Sequence, residues 1–226
     1  MKKEMIADKM VSLVKNSSAI RAMFEEGKIL AAKYGAENVY DFSLGNPNVP
    51  APVQVKEAII EELNKEDPVV LHGYMNNSGY EDVRDAIAQS INKKFDTAFT
   101  EKNIIMTVGA AGGLNVILKT LLNPGDEVIA IAPYFGEYNS YVSNYDGKIV
   151  VVSPNTVDFQ PNLEEMEQKI TAKTKAVIIN SPNNPTGVVY SEATIMKMAD
   201  MLRAKQKEFG TDIYLISDEP YRELAY

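Results

Sequence analysis

The second half of the chain alternates short apolar runs with amphipathic stretches, and this alternation constrains the fold more than any other feature of the sequence. The short runs are rich in β-branched residues and have the length of buried strands, whereas the stretches between them repeat apolar residues at helical spacing. Strands that are almost continuously apolar are typical of a parallel sheet with helices on both faces. The predicted strands are Ile104–Val108, Glu127–Ala132, Lys148–Ser153, Ala176–Asn180 and Ile213–Ser217.

The stretches between the strands, and most of the first half of the chain, have the pattern of helices. The clearest of them begins after Ser191, a good N-cap residue, and ends before Gly210. A passage rich in proline and glycine, Ser43–Pro52, interrupts the first helices and marks a loop, which we also interpret as a crossing between domains. Helices are predicted at residues 6–34, 53–63, 79–95, 112–122, 137–144, 163–170 and 191–209.

Charge and composition exclude several classes of function. The 226 residues carry a formal net charge of -8 and include no cysteine and one histidine. An acidic chain without a basic stripe repels phosphate backbones, so we expect no nucleic-acid partner. A chain without cysteine has no disulfide and no thiolate ligand, and His72 alone cannot form a metal cluster, so we expect no metal site. Charges interrupt every apolar run near the N-terminus, which predicts neither a signal peptide nor a membrane span and favours a cytoplasmic protein.

Ligands of open α/β sheets bind at the carboxyl ends of the strands, so the strand ends are the places to look for chemistry. The first end runs into small residues that open a helix, Thr107–Leu122. Backbone amides of Ala110 and Ala111 could approach a phosphate there, aided by the helix dipole. The segment matches neither a Walker A loop nor G-x-G-x-x-G, and a tight turn between strand and helix explains it equally well.

Three further strand ends carry groups with two interpretations each. The aromatic residues in Ala132–Tyr138 either pack in the core or stack on a flat ligand. The segment Asn180–Gly187 is a turn in any case, and its asparagines could also donate to a ligand oxygen. Asp218 and Glu219 point to opposite sides of a strand, so one of them either faces a ligand or serves as a capping or salt-bridged acid.

Taken together, these segments resemble the class I/II aminotransferases, which are fold type I pyridoxal-phosphate enzymes. The resemblance extends from about Ser43 to Tyr226, and its most specific parts are "SPNNPTG" and "SDEPY", with support from "GYMNNSGYEDVR" and "TVGAAGG". It implies an α/β, three-layer sandwich like that of pyridoxal-phosphate-dependent transferases, with a mostly parallel sheet. It also implies pyridoxal 5'-phosphate as cofactor, an amino acid and a 2-oxo acid as substrates, and a homodimer with shared active sites.

The resemblance assigns a role to individual residues of the cofactor site. Asp218 matches the aspartate that pairs with the pyridine nitrogen, where a carboxylate keeps the ring protonated. Tyr221 and Asn184 match the residues that bind the phenolic oxygen of the cofactor. Phe135 occupies the position of the aromatic ring that covers the pyridine, which is more often tryptophan or tyrosine in the family.

The remaining matches concern the phosphate, the substrate and the neighbouring subunit. Ala110 and Ala111 occupy the positions whose amides hold the phosphate. Tyr74 matches a tyrosine that reaches the phosphate of the neighbouring subunit, which is why the resemblance implies a homodimer. Gly45 matches a glycine whose backbone lies near the substrate carboxylate.

The lysine that binds the cofactor covalently in this family would lie beyond Tyr226, so no catalytic residue is assigned in this chain. We expect the chain to be the N-terminal part of a longer protein, truncated before the last strands and the small domain, and to be inactive alone. Residues 1–50 are then the N-terminal arm with part of the small domain, and residues 51–226 an incomplete large domain. Without later strands, Ile213–Ser217 is expected to form an apolar sheet edge.

The sequence leaves three functions open. The first is an aminotransferase that moves an amino group from an amino acid, aspartate by default, to a 2-oxo acid. The second is another pyridoxal-phosphate enzyme of the same fold, such as a β-lyase or a decarboxylase. The third is a non-catalytic, truncated module that binds the cofactor, which the missing lysine favours. Products formed with and without a 2-oxo acid acceptor separate the first two.

Overall fold

The structure, a computed structural model, describes residues 5–15, 19–42, 45 and 49–225, apart from the side chains of residues 12–15 and 19–22. Its internal contacts divide the chain into two compact units, Met1–Met106 and Thr107–Tyr226. Each unit is described by itself below.

The first unit is helical in the part that the structure describes. The predicted helix over residues 6–34 is present as α1 and α2, and residues 16–18 between them lie outside the described residues. Asp67 caps α4 by accepting a hydrogen bond from the backbone N–H of Val69. The helices are α1 (Asp8–Lys15), α2 (Ala19–Tyr34), α3 (Val53–Lys65), α4 (Pro68–Leu71) and α5 (Glu81–Phe95), with 3-10 turns at Ala36–Asn38 and Glu101–Asn103.

The second unit contains the alternating strands and helices that the sequence pattern predicts. Its longest helix, α9, is capped as expected: the Ser191 hydroxyl accepts from the N–H of Thr194, and Gly210 ends the helix with a φ of 65°. The elements are α6 (Gly109–Leu121), β1 (Glu127–Ile131), α7 (Tyr138–Ser143), β2 (Lys148–Val152), α8 (Leu163–Lys169), β3 (Thr174–Asn180), α9 (Glu192–Phe209) and β4 (Tyr214–Asp218), followed by a 3-10 turn at Arg222–Leu224.

The four described strands form one parallel sheet in the order β2-β1-β3-β4. The register pairs Ile131 with Val152 and Asn180 with Asp218, so the strands end close to one another. All four carboxyl ends therefore lie along one margin of the sheet. This is the margin at which ligands bind in open α/β sheets.

Helices cover both faces of this sheet, which confirms the predicted three-layer α/β fold. Successive residues of a strand alternate between the two faces. In β3, for example, Val177 lies in one core cluster and Ile178 in the other. The first cluster contains residues of α8 and α9, and the second contains residues of α6 and α7. The buried members of the first are Ile129, Ile131, Val152, Met166, Ile170, Val177, Ile179, Tyr190, Met198, Leu202 and Ile213. Those of the second are Leu114, Leu118, Val128, Tyr138, Val142, Ala176 and Ile178.

The prediction of a strand at Ile104–Val108 is wrong. Ile104 instead closes a 3-10 turn by donating to the Glu101 carbonyl, and Met106 donates to the Ser78 carbonyl. Among the described residues, no strand pairs with this segment, and a strand without a neighbour has no ladder to stabilise it. An apolar run alone is therefore not enough to predict a strand.

At one side of the sheet, β4 is the last strand and therefore an edge strand, as the sequence predicts. Among the described strands it pairs with β3 alone, and its apolar residues Tyr214 and Leu215 are 47% and 39% exposed. Within the part of the chain that the structure describes, no helix is long and apolar enough to cross a membrane.

Candidate functional site

The first turn of α6 offers backbone amides that no side chain among the described residues caps. The helix precedes β1 and packs against the sheet through Leu114 and Leu118. Gly109 opens it with a φ of +68°, a conformation that side chains rarely adopt, and the Thr107 hydroxyl donates to the Gly109 carbonyl at 3.0 Å. Ala110 and Ala111 are exposed, and among the described residues no side chain caps this turn. Its amides and the helix dipole therefore suit an anion.

Asp218 ends β4 with its carboxylate turned toward a buried tyrosine. The Tyr138 hydroxyl donates to Oδ2 of Asp218 at 2.6 Å. Glu219 turns elsewhere, since its carboxylate accepts from the Ser217 hydroxyl at 2.7 Å and from the Arg222 guanidinium at 3.1 Å. The alternation expected of these two acids is present, and Asp218 is the one that remains half-buried beside aromatic rings.

Tyr138 lies at the centre of an aromatic cluster that follows β1. Its ring and that of Phe135 form a T-shaped pair, with centroids 5.9 Å apart and planes at 86°, and the ring stacks on Tyr134 at a centroid distance of 6.2 Å. Burial, followed by the hydrogen bond to the Asp218 carboxylate, raises the pKa of Tyr138 far above that of an ordinary phenol. The hydroxyl therefore keeps its proton at any physiological pH and acts toward Asp218 as a donor.

Asn184 and Tyr221 meet at the ends of the two neighbouring strands β3 and β4. The Asn184 Nδ2 donates to the Tyr221 hydroxyl at 3.1 Å. The amide nitrogen carries a second hydrogen, and the phenol keeps its own because it accepts in this pair. Two donors that converge in this way can bind one oxygen atom, and an anionic oxygen best of all.

The other two asparagines of this turn serve the protein itself. Asn180 is buried; its Nδ2 donates to the Asp218 carbonyl at 2.8 Å, and its Oδ1 accepts from the Asn184 N–H at 2.6 Å. Asn183 is also buried, and its Oδ1 accepts from the N–H and the hydroxyl of Thr186. Both side chains stiffen the turn, and Asn180 also fixes the backbone of Asn184, whose own side chain donates to Tyr221.

The structure thus brings six of the eight predicted site residues to the second unit, and four of these stand at or shortly after the carboxyl end of a strand. The six are Ala110, Ala111, Phe135, Asn184, Asp218 and Tyr221. The other two, Tyr74 and Gly45, lie in the first unit and are exposed. Their roles toward the phosphate and the substrate stay predictions, as do the ligand roles of the other six.

Sequence reasoning missed Tyr138 and Asn180 as parts of the site. Both stand in segments considered above as candidates for ligand binding, Ala132–Tyr138 and Asn180–Gly187. Tyr138 was not singled out, because a buried tyrosine after a strand is most often a core residue. Their partners lie 80 and 38 positions away along the chain. One signal was available for Asn180, because an amide as the last residue of an apolar strand has to find a buried hydrogen-bond partner.

The fold is that of the class I and II aminotransferase family. The chain belongs to this family: the sequence model of "Aminotransferase class I and II" matches residues 37–226. Among the described residues, no group of histidine, aspartate or glutamate side chains could hold a metal ion.

Individual relatives are similar over most of this chain. It is 34% identical over 207 residues to the aspartate aminotransferase of Thermotoga maritima, a match that covers 91% of this chain and 52% of the relative. A probable aspartate/prephenate aminotransferase of Thermus aquaticus is 36% identical over 184 residues, which is 80% of this chain and 45% of that protein. The crystal structure of an aminotransferase from Eubacterium rectale superposes with a TM-score of 0.94 at 46% identity, covering 99% of this chain and 56% of that one. The chain spans about half the length of the relatives it matches.

Proposed function

We propose that the complete protein is a pyridoxal-phosphate-dependent aminotransferase that moves an amino group from an amino acid to a 2-oxo acid. The observation that carries the proposal is the Asp218 carboxylate at the end of β4, beside the convergent donors Asn184 and Tyr221 at the ends of β3 and β4. Asp218 is an acceptor that suits the protonated ring nitrogen of a substituted pyridine. Asn184 and Tyr221 form a donor pair that suits its phenolic oxygen.

The residues present fit pyridoxal 5'-phosphate group by group. Asp218 would hold the ring nitrogen, Asn184 and Tyr221 the phenolic oxygen, and the amides of Ala110 and Ala111 the phosphate at the start of α6. Phe135 offers an aromatic face beside Tyr138. When bound, the cofactor supplies an electron sink for negative charge that forms at the substrate Cα.

Each of these side chains has a physical task in that chemistry. Asp218 keeps a proton on the ring nitrogen, because a carboxylate nearby favours the charged form of a base. Asn184 and Tyr221 stabilise negative charge on the phenolic oxygen by donating to it. The Phe135 ring excludes water from one side of the site. None of them moves a proton at the substrate, so this chain supplies binding and orientation.

The complete protein is proposed to continue beyond Tyr226, since the relatives are about twice as long. The lysine that reacts with the cofactor would lie in that part. Residues 1–50 would form the N-terminal arm with part of the small domain, and residues 51–226 would belong to the large domain. Tyr74 is proposed to reach the phosphate site of a second subunit in a homodimer, and Gly45 to approach the substrate carboxylate. A chain without cysteine suits the reducing cytoplasm.

Aspartate is the proposed amino donor. Two of the relatives above are named for aspartate, one of them also for prephenate. The choice of aspartate rests on these names.

The test uses the product of the complete gene, purified with cofactor. Aspartate and other amino acids are supplied with and without a 2-oxo acid, and products are identified by mass spectrometry. Amino transfer that requires the 2-oxo acid supports the proposal; loss of carbon dioxide or of a β-substituent without an acceptor contradicts it in favour of a decarboxylase or a lyase. A protein that binds the cofactor and changes no amino acid is a non-catalytic module.

The variant Asp218→Asn tests the residue that carries the proposal. We expect its kcat/KM to fall on the order of 100-fold, because a neutral amide cannot stabilise positive charge on the ring nitrogen. Asp200→Asn is the matched control, since Asp200 forms an exposed pair with Arg203 on α9. An Asp218→Asn variant as active as the control contradicts the assignment of the cofactor site.

A further inference from the structure

The main chain of Asp218 is held by its neighbours, which leaves only its side chain free to turn. The residue pairs with Asn180 in the ladder between β3 and β4. The Asn180 side chain adds a hydrogen bond to the Asp218 carbonyl at 2.8 Å. The direction of the carboxylate therefore depends on its two side-chain torsions, and the group that binds the carboxylate decides which oxygen faces a ligand.

Tyr138 binds that carboxylate at one oxygen. Its hydroxyl lies 2.6 Å from Oδ2 of Asp218, and among the described residues the carboxylate has no other side-chain partner. We propose that Tyr138 is a positioning residue that occupies Oδ2, fixes the rotation of the carboxylate and leaves Oδ1 for the ring nitrogen of the cofactor. The inference rests on the proposed function, because it concerns the orientation of a group that binds pyridoxal phosphate.

The surroundings of Tyr138 make its hydroxyl a fixed donor. The residue is 1% exposed and belongs to the core cluster that also contains Leu118 and Val142. The Phe135 ring packs against the Tyr138 ring in a T-shaped pair, and the Tyr134 ring stacks on it. A phenol confined in this way donates from one direction only. Burial and the carboxylate hold its pKa far above the physiological range, so it remains a donor at any working pH.

Without the hydroxyl, the carboxylate loses both direction and solvation. A phenylalanine ring at this position would place carbon atoms beside Oδ2, and an anionic oxygen next to an aromatic ring without a donor is poorly stabilised. The side chain could then turn to expose either oxygen. The lost direction weakens the hold of Asp218 on a protonated ring nitrogen, because neither oxygen is then kept facing it.

The experiment compares the complete protein with its Tyr138→Phe variant, which keeps the ring and its packing. Each protein is freed of cofactor and titrated with pyridoxal phosphate labelled with ¹⁵N at the ring nitrogen. We expect binding to weaken about tenfold, which corresponds to about 1.4 kcal/mol. We also expect the ¹⁵N resonance to move from the position of a protonated ring toward that of a neutral one.

A double-mutant cycle with Asp218→Asn separates positioning from a loss of packing. If Tyr138 acts through the carboxylate, Tyr138→Phe should change cofactor affinity less than about twofold in the Asp218→Asn background. Equal losses in both backgrounds overturn the proposal, because a packing defect does not depend on the charge at position 218. Tyr190→Phe is the control: it removes a buried phenol from the opposite cluster, and its affinity should stay within about twofold of the wild type.

The outcomes distinguish the inference from the function on which it rests. A wild-type protein that does not bind the cofactor overturns both. A wild type that binds, with Tyr138→Phe binding equally well at an unchanged ¹⁵N position, overturns the role of Tyr138 alone. If Tyr138→Phe fails to fold, the wild type decides: the hydroxyl proton of Tyr138, observed by NMR, should shift when the cofactor binds at Oδ1, and an unchanged resonance overturns the inference.

Discussion

Replacing Asn180 by alanine should destabilise the second unit through two backbone groups that lose their partners. The side chain is 4% exposed and binds the Asp218 carbonyl at 2.8 Å and the Asn184 N–H at 2.6 Å. A buried polar group that loses its partner costs about 1–3 kcal/mol. Two such groups predict a loss of about 2–6 kcal/mol in the free energy of unfolding.

The assay is urea denaturation of the complete, cofactor-free protein, followed by circular dichroism at one protein concentration so that association does not shift the midpoint. Asn123→Ala is the matched control, because Asn123 is exposed after α6 and its side chain makes only a 3.4 Å contact with Asp126. We expect the control to change the free energy of unfolding by less than about 0.5 kcal/mol.

The Asn180→Ala variant should also bind the cofactor more weakly, because Asn180 fixes the backbone of Asn184 and of Asp218. An Asn180→Ala protein that unfolds at the same urea concentration as the control, with the same slope, would refute the reasoning. The ends of β3 and β4 would then be held by the sheet ladder alone.

Two further predictions concern α9 and alkaline stability. Ser191→Ala removes the acceptor for the Thr194 N–H, 3.1 Å away, and should cost about 1 kcal/mol of unfolding free energy, whereas Ser191→Asp should retain it; equal losses in both variants would contradict capping. Burial raises the pKa of Tyr190 to about 12 from 10.0, so its contribution to stability is complete below pH 10 and is lost as pH rises toward 12, because the unfolded chain releases the proton first. Urea denaturation between pH 9 and pH 12 should therefore show that the free energy of unfolding falls less steeply in Tyr190→Phe than in the wild type, by up to about 1.4 kcal/mol per pH unit. An identical slope in wild type and variant would contradict the ionisation of Tyr190 as the cause.

The parts of the fold that the sequence predicted correctly are those with local signals. The bounds of α9 follow from Ser191 and Gly210, whose capping roles depend on backbone groups within the same helix. Four of the predicted strands are present, because each is apolar on both faces and is followed by turn residues. The segment Ile104–Val108 has the same composition and forms no strand, since pairing depends on a neighbour that composition does not reveal.

The candidate site likewise contains some residues that a local motif predicts and others that only the folded structure reveals. Asp218, Asn184 and Tyr221 stand in short motifs, so sequence alone brought them forward as candidates, and the structure places Asn184 and Tyr221 3.1 Å apart. Tyr138 and Asn180 act through partners that are distant along the chain, and only the folded sheet brings each pair together. Glu219 adjoins Asp218 and has the same charge, yet its salt bridge with Arg222 distinguishes the two acids.

The open margin at β4 has a consequence for how this protein is made. While that strand has no neighbour, its free N–H and C=O groups and the exposed Tyr214 and Leu215 can add a strand from another molecule. In the longer protein proposed above, a nascent chain that has just been made as far as β4 presents such a margin while later segments are still being synthesised. Expression of residues 1–226 by themselves should therefore yield aggregates or chaperone complexes.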